Sequence, residues 1–327
     1  MFQEEIHPIE PLTFAKNKFM RKVHWTGIYP AVTTKFTADG ELDLPAFLKN
    51  IGFQVDAGID GIIIGGSLGE SSTITHEERL ILAKASLENF GDRIDVILNI
   101  AEGATRTAID LVKKAEALGV HGLMVLPPMM YKPTDQEVAN YFKAIAGSTS
   151  LPILLYNNPV DYKIEITLDI FEQLLPLENI QAVKESTRDI SNVTRMRNQF
   201  GDRFKILCGV DTLAMEELLM GADGWVAGLV DAFPAETVAI YRLVQAGRVN
   251  EALAIYRWFL PILELDISPQ LVQNIKLAEV MTGIGTEHVR PPRHVLAGAE
   301  RERVIAILEK GIASRPQLPD YLSIAIA

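Results

Sequence analysis

Residues 94–128 read "IDVILNIAEGATRTAIDLVKKAEALGVHGLMVLPP", and this stretch holds one complete unit of the fold. An apolar run, "IDVILNIA" (94–101), leads into the amphipathic segment "ATRTAIDLVKKAEALG" (104–119), and a second apolar run, "HGLMVLPP" (121–128), follows. In the middle segment apolar residues recur every three or four positions and Gly119 stands where a left-handed C-cap is wanted, so the spacing predicts a helix. The flanking runs are nearly continuously apolar instead of alternating, which predicts strands covered on both faces and therefore parallel.

Working outward, the same unit recurs along the chain. Further apolar runs are "GIYPAVTT" (27–34), "IDGIIIGGS" (59–67), "PILLYNNP" (152–159), "IQAVKES" (180–186), "KILCGV" (205–210) and "DGWVAGL" (223–229), making eight in all. Helical spacing also marks "LPAFLKNIGFQVDAG", "HEERLILAKASLENFG" and "DQEVANYFKAIAG" as crossovers. Eight strand–helix units in series predict an α/β fold of the closed (β/α)8 TIM barrel type. An open doubly wound sheet is the structural alternative; it usually has fewer units, and a dinucleotide site would add a GxGxxG turn that this chain lacks.

After the eighth run come "AETVAIYRLVQAGRVNEALAIYRWFLPILEL", "SPQLVQNIKLAEVMTGI" and "AERERVIAILEKG", all helical by period. The expected organisation is an N-terminal arm (1–26), the barrel (27–240), a C-terminal helical extension packed on it (241–314) and a tail (315–327).

Composition limits the function classes. With 48% hydrophobic residues the chain can fill a large core, which excludes global disorder. Thirty-one basic against 42 acidic residues give a net charge of −11 without a basic cluster, so nucleic acid is not an expected partner. No apolar run reaches the roughly 18 to 20 residues that span a bilayer, and the first residues lack the order of a signal peptide. A cytoplasmic protein is expected, and the single Cys208, inside "KILCGV", reads as packing.

A barrel of this kind carries its chemistry at the C-terminal ends of its strands, which turns position into a filter. The ends are Thr33 and Thr34; Gly66, Ser67, Leu68, Gly69 and Glu70; Asn99; Pro127 and Pro128; Tyr156, Asn157 and Asn158; Lys184 and Glu185; Gly209 and Asp211; Gly228. Lys184 is the only lysine in the second half of an expected strand. Burial lowers an ammonium pKa towards neutrality and yields an amine able to attack a carbonyl, the requirement of Schiff-base chemistry. A rim ion pair with Glu185 is the competing structural reading. Tyr156, one strand away, is the candidate proton shuttle; alone it would read as a rim aromatic. "GGSLGES" offers glycines and amide N–H groups suited to a carboxylate. No HxH, HxxxH or HExxH pattern links the six histidines and no GxSxG elbow occurs, so neither a metal site nor a serine triad is expected.

Taken together, "GSLGES", "LPPMMYKP", "YNNP" and "VKES", in this order at strands two, four, five and six, resemble the dihydrodipicolinate synthase and N-acetylneuraminate lyase superfamily of class I aldolases, from Gly27 through the additional helices. The resemblance implies an imine between Lys184 and a 2-oxo acid such as pyruvate, proton relay by Tyr156, and a substrate carboxylate held at Ser67 and Leu68. Gly69, Tyr131, Asn158 and Gly209 complete the expected substrate-binding set. It also implies a homo-oligomer, a tetramer by family habit, and no cofactor beyond the covalent imine on Lys184.

Three positions depart from the synthase pattern. Asp161 stands where an arginine would bind the aldehyde's carboxylate, Leu68 replaces a threonine, and Met130 with Tyr131 beside it replaces the relay tyrosine lent by a neighbouring subunit. The whole pattern looks most like the branch of 1-pyrroline-4-hydroxy-2-carboxylate deaminases of hydroxyproline breakdown, which release 2-oxoglutarate semialdehyde and ammonia. The alternatives are a synthase-like or sugar-acid aldolase or dehydratase on the same imine and, from another class, a catalytically silent 2-oxo acid binder.

Overall fold

The computed structural model describes residues 22–325; residues 1–21 of the expected arm and 326–327 of the expected tail lie outside them. Eight parallel strands form one sheet: β1 (Gly27–Pro30), β2 (Gly61–Ile64), β3 (Asp95–Ile100), β4 (Gly122–Val125), β5 (Ile153–Asn157), β6 (Ile180–Glu185), β7 (Lys205–Cys208) and β8 (Gly224–Ala227). From β2 to β8 each strand pairs with its neighbour in sequence, and β8 returns to β1 with Gly27 opposite Gly224. The seam between β1 and β2 is held by the parallel bridge of Ala31 with Ile63, where the Val32 N–H donates to the Ile63 carbonyl at 3.1 Å. The fold is the expected (β/α)8 barrel.

Around it run α1 (Leu44–Asp56), α2 (His76–Phe90), α3 (Thr105–Leu118), α4 (Asp135–Ala146), the single turn α5 (Pro159–Tyr162), α6 (Leu168–Leu174), α7 (Ser191–Phe200), α8 (Ala214–Leu219) and α9 (Pro234–Gln245). Local sequence fixes their ends. Thr75 with Glu78 and Thr134 with Glu137 form capping boxes on α2 and α4, and Gly119 closes α3 at φ +88°. The strands are buried almost throughout, as continuous apolar runs require.

Beyond the barrel lie α10 (Val249–Leu263), α11 (Leu271–Met281) and α12 (Gly298–Ala313). Two boundaries differ from expectation. The division at residue 240 falls inside α9, because that helix is the eighth crossover and packs on β1 and β8. The run 27–34 contributes only four strand residues; past Pro30 the chain leaves the ladder so that Thr33 N–H reaches Asp231 Oδ2 at 2.8 Å and Thr34 Oγ1 reaches the Gly69 carbonyl at 2.7 Å.

Between the turn after β2 and α11 is a fully buried ionic cluster. Lys276 Nζ meets Glu70 Oε1 at 2.5 Å and the His288 carbonyl at 2.6 Å, while Lys35 Nζ meets Glu279 Oε2 at 2.7 Å. Thr33 Oγ1 donates to Glu279 Oε1 at 2.5 Å. Glu70 sits at φ +56°, an uncommon conformation for a residue with a side chain. Its carboxylate, anchored by Lys276 and by the Arg290 N–H at 3.2 Å, holds the turn in that shape.

Candidate active site

Strand register brings the two principal residues together. Tyr156 on β5 lies directly opposite Lys184 on β6, and Lys184 Nζ stands 4.2 Å from the centroid of the Tyr156 ring. Successive strand residues point to opposite faces, so Glu185 turns away from the cavity; its oxygens accept from Thr187 N–H at 2.7 Å and Asn192 Nδ2 at 2.8 Å. The rim pair of Lys184 with Glu185 is therefore absent. Among the described residues Lys184 makes no side-chain hydrogen bond or ion pair, although it is only 7% exposed. Burial pulls its ammonium pKa down, opposed by the nearby acidic groups of Asp266, Tyr162 and Asp211.

Lys184 opens into a cavity at the C-terminal mouth of the barrel lined also by Ser67, Leu68, Tyr156, Asn158, Tyr162 and Asp266. Burial pushes the Tyr156 phenol up to about 12, so it carries its proton at neutral pH. Its hydroxyl accepts from Asn158 Nδ2 at 3.0 Å, and that same amide donates to Asp161 Oδ2 at 2.8 Å while Asn158 Oδ1 caps the short helix α5. Ser67 Oγ is hydrogen-bonded to the Tyr162 hydroxyl, whose ring stands edge-on to that of Tyr156 at 5.7 Å. Burial raises the Tyr162 phenol to about 12 as well. Among the described residues no backbone acceptor engages the amide N–H groups of Ser67 and Leu68.

Gly209 lines the cavity for a steric reason. A Cβ there would lie 2.1 Å from Ser186 Oγ and 2.7 Å from both Cγ and Cε of Lys184. Substituting Gly209→Ala is expected to turn Lys184 aside and slow its covalent trapping by borohydride with pyruvate at least about tenfold, since small misplacements of a reacting group are costly. Unchanged trapping in that variant would show that the stem of Lys184 adapts freely.

Of the expected residues, Lys184, Tyr156, Ser67, Leu68, Asn158 and Gly209 converge on one cavity. Gly69 lies beside it within the turn; a Cβ at that position would come 2.9 Å from the Val32 carbonyl, so its contribution is the turn's close packing. Tyr131 does not join its own chain's cavity. The loop after β4 carries it outward, 51% exposed, towards the capped start of α4, where it interacts with Glu137.

Tyr162, Arg188 and Asp266 are titratable side chains of the cavity that were not expected there. Tyr162 arrives because Asn158 and Pro159 start a one-turn helix that curls the chain back over the mouth. Arg188 sits at φ +62° after β6, with its guanidinium 3.8 Å from Asp161. Asp161 thus does not face substrate as a bare negative charge: Asn158 and Arg188 share it. Asp266 comes from the connection between α10 and α11, outside the barrel.

The fold and the residues at its mouth have known counterparts. The 4-hydroxy-tetrahydrodipicolinate synthase of Moorella thermoacetica is 33% identical over 288 residues, covering 88% of this chain and 99% of that one. The solved structure of the synthase from Methylacidiphilum fumariolicum superposes with a TM-score of 0.84 at 31% identity, over 88% of this chain and 96% of the other. A prophage protein of the dihydrodipicolinic acid synthase family from E. coli, solved in complex with pyruvate, gives 0.83 at 28% identity over 89% and 99%. With residues 24–311 matching the dihydrodipicolinate synthetase family as a whole, the chain belongs to that family.

Proposed function

We propose that the protein is a Schiff-base lyase that acts on a small 2-oxo acid or the corresponding cyclic imino acid, and that its preferred reaction is the deamination of 1-pyrroline-4-hydroxy-2-carboxylate. The observation that carries the Schiff-base reading is the amine of Lys184: buried, lowered in pKa, without a hydrogen-bond partner among the described residues, and set over the Tyr156 ring at the open end of the barrel. A structure solved with pyruvate in a relative of the same family agrees with it.

In this reaction the Lys184 amine adds to C2 of the ring imine, and expulsion of the ring nitrogen leaves the chain attached to Lys184 as an imine. Loss of a C3 proton and of the 4-hydroxyl follows, and the resulting double bond migrates to place an imine at C5. Two hydrolyses then release ammonia, 2-oxoglutarate semialdehyde and free Lys184, so one water is consumed overall. No cofactor is required, because the protonated imine accepts the electron pair. Tyr156 and the Ser67–Tyr162 pair supply neutral hydroxyls on the side of Lys184 where protons must move. The amides of Ser67 and Leu68 hold the carboxylate, and the Leu68 side chain, 4% exposed, adds an apolar wall.

A second reading is condensation of a 2-oxo acid with an aldehyde, in keeping with relatives named 4-hydroxy-tetrahydrodipicolinate synthase. Arg188 favours it, because its guanidinium at the mouth offers a carboxylate partner close to where Asp161 stands. Borohydride trapping with peptide mapping separates the readings when run with pyruvate and, separately, with freshly generated 1-pyrroline-4-hydroxy-2-carboxylate under ammonia detection. The deaminase predicts an adduct on Lys184 and ammonia from the pyrroline. An adduct with pyruvate alone, without ammonia from the pyrroline, contradicts it and leaves the condensing enzyme.

A further inference from the structure

Four acidic side chains lie close to Lys184, and the structure differentiates them. Glu185 faces away and is held by Thr187 and Asn192. Asp211 is consumed as a structural acceptor: Oδ1 receives Trp225 Nε1 at 2.9 Å, and Oδ2 receives the Leu229 N–H at 2.8 Å, with the Gly228 N–H shared between them at 3.1 and 3.2 Å. Asp161 lines the cavity but is bound by Asn158 and shared with Arg188. Asp266 lines the cavity with a carboxyl that no side chain among the described residues engages by a hydrogen bond or ion pair.

Its placement is built. The carboxyl lies over Gly228, where a Cβ would come 2.6 Å from Asp266 Oδ1, so the absence of a side chain at 228 makes the space it occupies. The connection that carries it is fixed on both sides: Asp266 N–H donates to the Leu263 carbonyl at 3.0 Å, and Asn274 Nδ2 donates to the Leu265 carbonyl at 3.0 Å. The charged and titratable groups facing it are Lys184 from β6, Tyr156 from β5, Asp161 from α5 and Asp211 from the loop after β7.

We infer that Asp266 is a further catalytic residue, the general acid that protonates the departing oxygen when Lys184 forms its imine. The inference rests on the Schiff-base reading of Lys184 and concerns a 2-oxo acid substrate; with a cyclic imine, which loses its ring nitrogen instead of an oxygen, the same group acts in the reverse sense, when water hydrolyses the Lys184 imine. The neutral Lys184 amine adds to the carbonyl carbon, and the adduct then loses its hydroxyl. The Asp266 proton joins that hydroxyl to leave as water, the C–O bond breaks with its electron pair, and the nitrogen lone pair forms the C=N bond. One amine, one carbonyl and one carboxylic acid become a protonated imine, one water and one carboxylate. The negative charge left on Asp266 then faces the positive imine. Burial, reinforced by Asp211 and opposed by Lys184, raises the Asp266 carboxyl to about 8, so the acid is available at neutral pH.

The test follows formation of the pyruvate imine on the full-length protein by rapid quenching with borohydride and intact mass, from pH 5 to 10, with unfolding midpoints recorded alongside. In the wild type the rate is expected to decline above about pH 8 as the acid is lost. Asp266→Asn, which keeps shape and removes the proton, should slow trapping on the order of 100-fold and abolish that decline. In Asp266→Ala, added formate should restore part of the rate. Trapping within about threefold of wild type with the same pH profile overturns the assignment, and so does a slowed rate with an unchanged profile and no rescue by formate. Absence of any Lys184 adduct in the wild type, with pyruvate and with other 2-oxo acids, instead overturns the Schiff-base reading itself.

Discussion

Lys184→Met is expected to abolish covalent trapping and to lower turnover on the order of 10⁴- to 10⁶-fold, the loss that removal of an essential nucleophile produces. The methionine keeps the unbranched stem over the Tyr156 ring and in the space that Gly209 leaves open, so the barrel should stay packed. Stability should change little, because the substitution removes a costly buried amine while Asp266, already raised in pKa, simply keeps its proton. The decisive pair of measurements is intact mass after borohydride and the thermal midpoint. A residual adduct mapped to another lysine, or turnover above about one per cent of wild type, would remove Lys184 from the reaction.

Lys276→Met should have the largest effect on stability. Glu70 and Lys276 are both fully buried, and removal of the ammonium leaves the Glu70 carboxylate with the Arg290 N–H and the more distant Arg293 guanidinium at 3.8 Å. Breaking one side of a buried pair costs about 3–5 kcal/mol. Lys35 is then the remaining buried cation of the cluster, beside Glu279 and Asp231, whose carboxyls burial pushes up. Adding Glu70→Gln should recover much of the loss, since the amide keeps its shape without the charge. Denaturant unfolding of the two single variants and the double variant measures this. If Lys276→Met costs less than about 1 kcal/mol, the cluster contributes little and the turn holds its shape by backbone packing alone.

The barrel was legible because its strands are apolar on both faces and its crossovers keep helical period; residues 94–128 alone contain both signals. Strand lengths were overread, as at 31–34, because polar residues leaving the ladder to bond across the barrel look like strand continuation in sequence. The filter by strand end found Lys184, Tyr156 and Ser67, and period two alone could have separated Lys184 from Glu185. Tyr162 escaped because it lies five residues past the end of β5; the "NP" turn that begins at Asn158 was the available signal that the chain folds back there. Asp266 escaped for a stronger reason. It belongs to no strand, and in "LELDIS" it reads as an ordinary acidic residue near a helix end, so only the course of the α10–α11 connection past the mouth shows it. The outward course of Tyr131 depends likewise on a loop path that no periodicity encodes.

The pairing of Glu70 with Lys276 joins residues 206 positions apart. Contacts of such long sequence separation close late, because the loop entropy must be met before the contact forms. During synthesis all eight strands emerge before α11 does, so the nascent barrel would carry Lys184 while the turn after β2 is still unclamped and Asp266 is absent or undocked. The mouth of the barrel is therefore completed from outside the barrel itself, by chain that follows every strand in sequence, including the strand that carries Lys184.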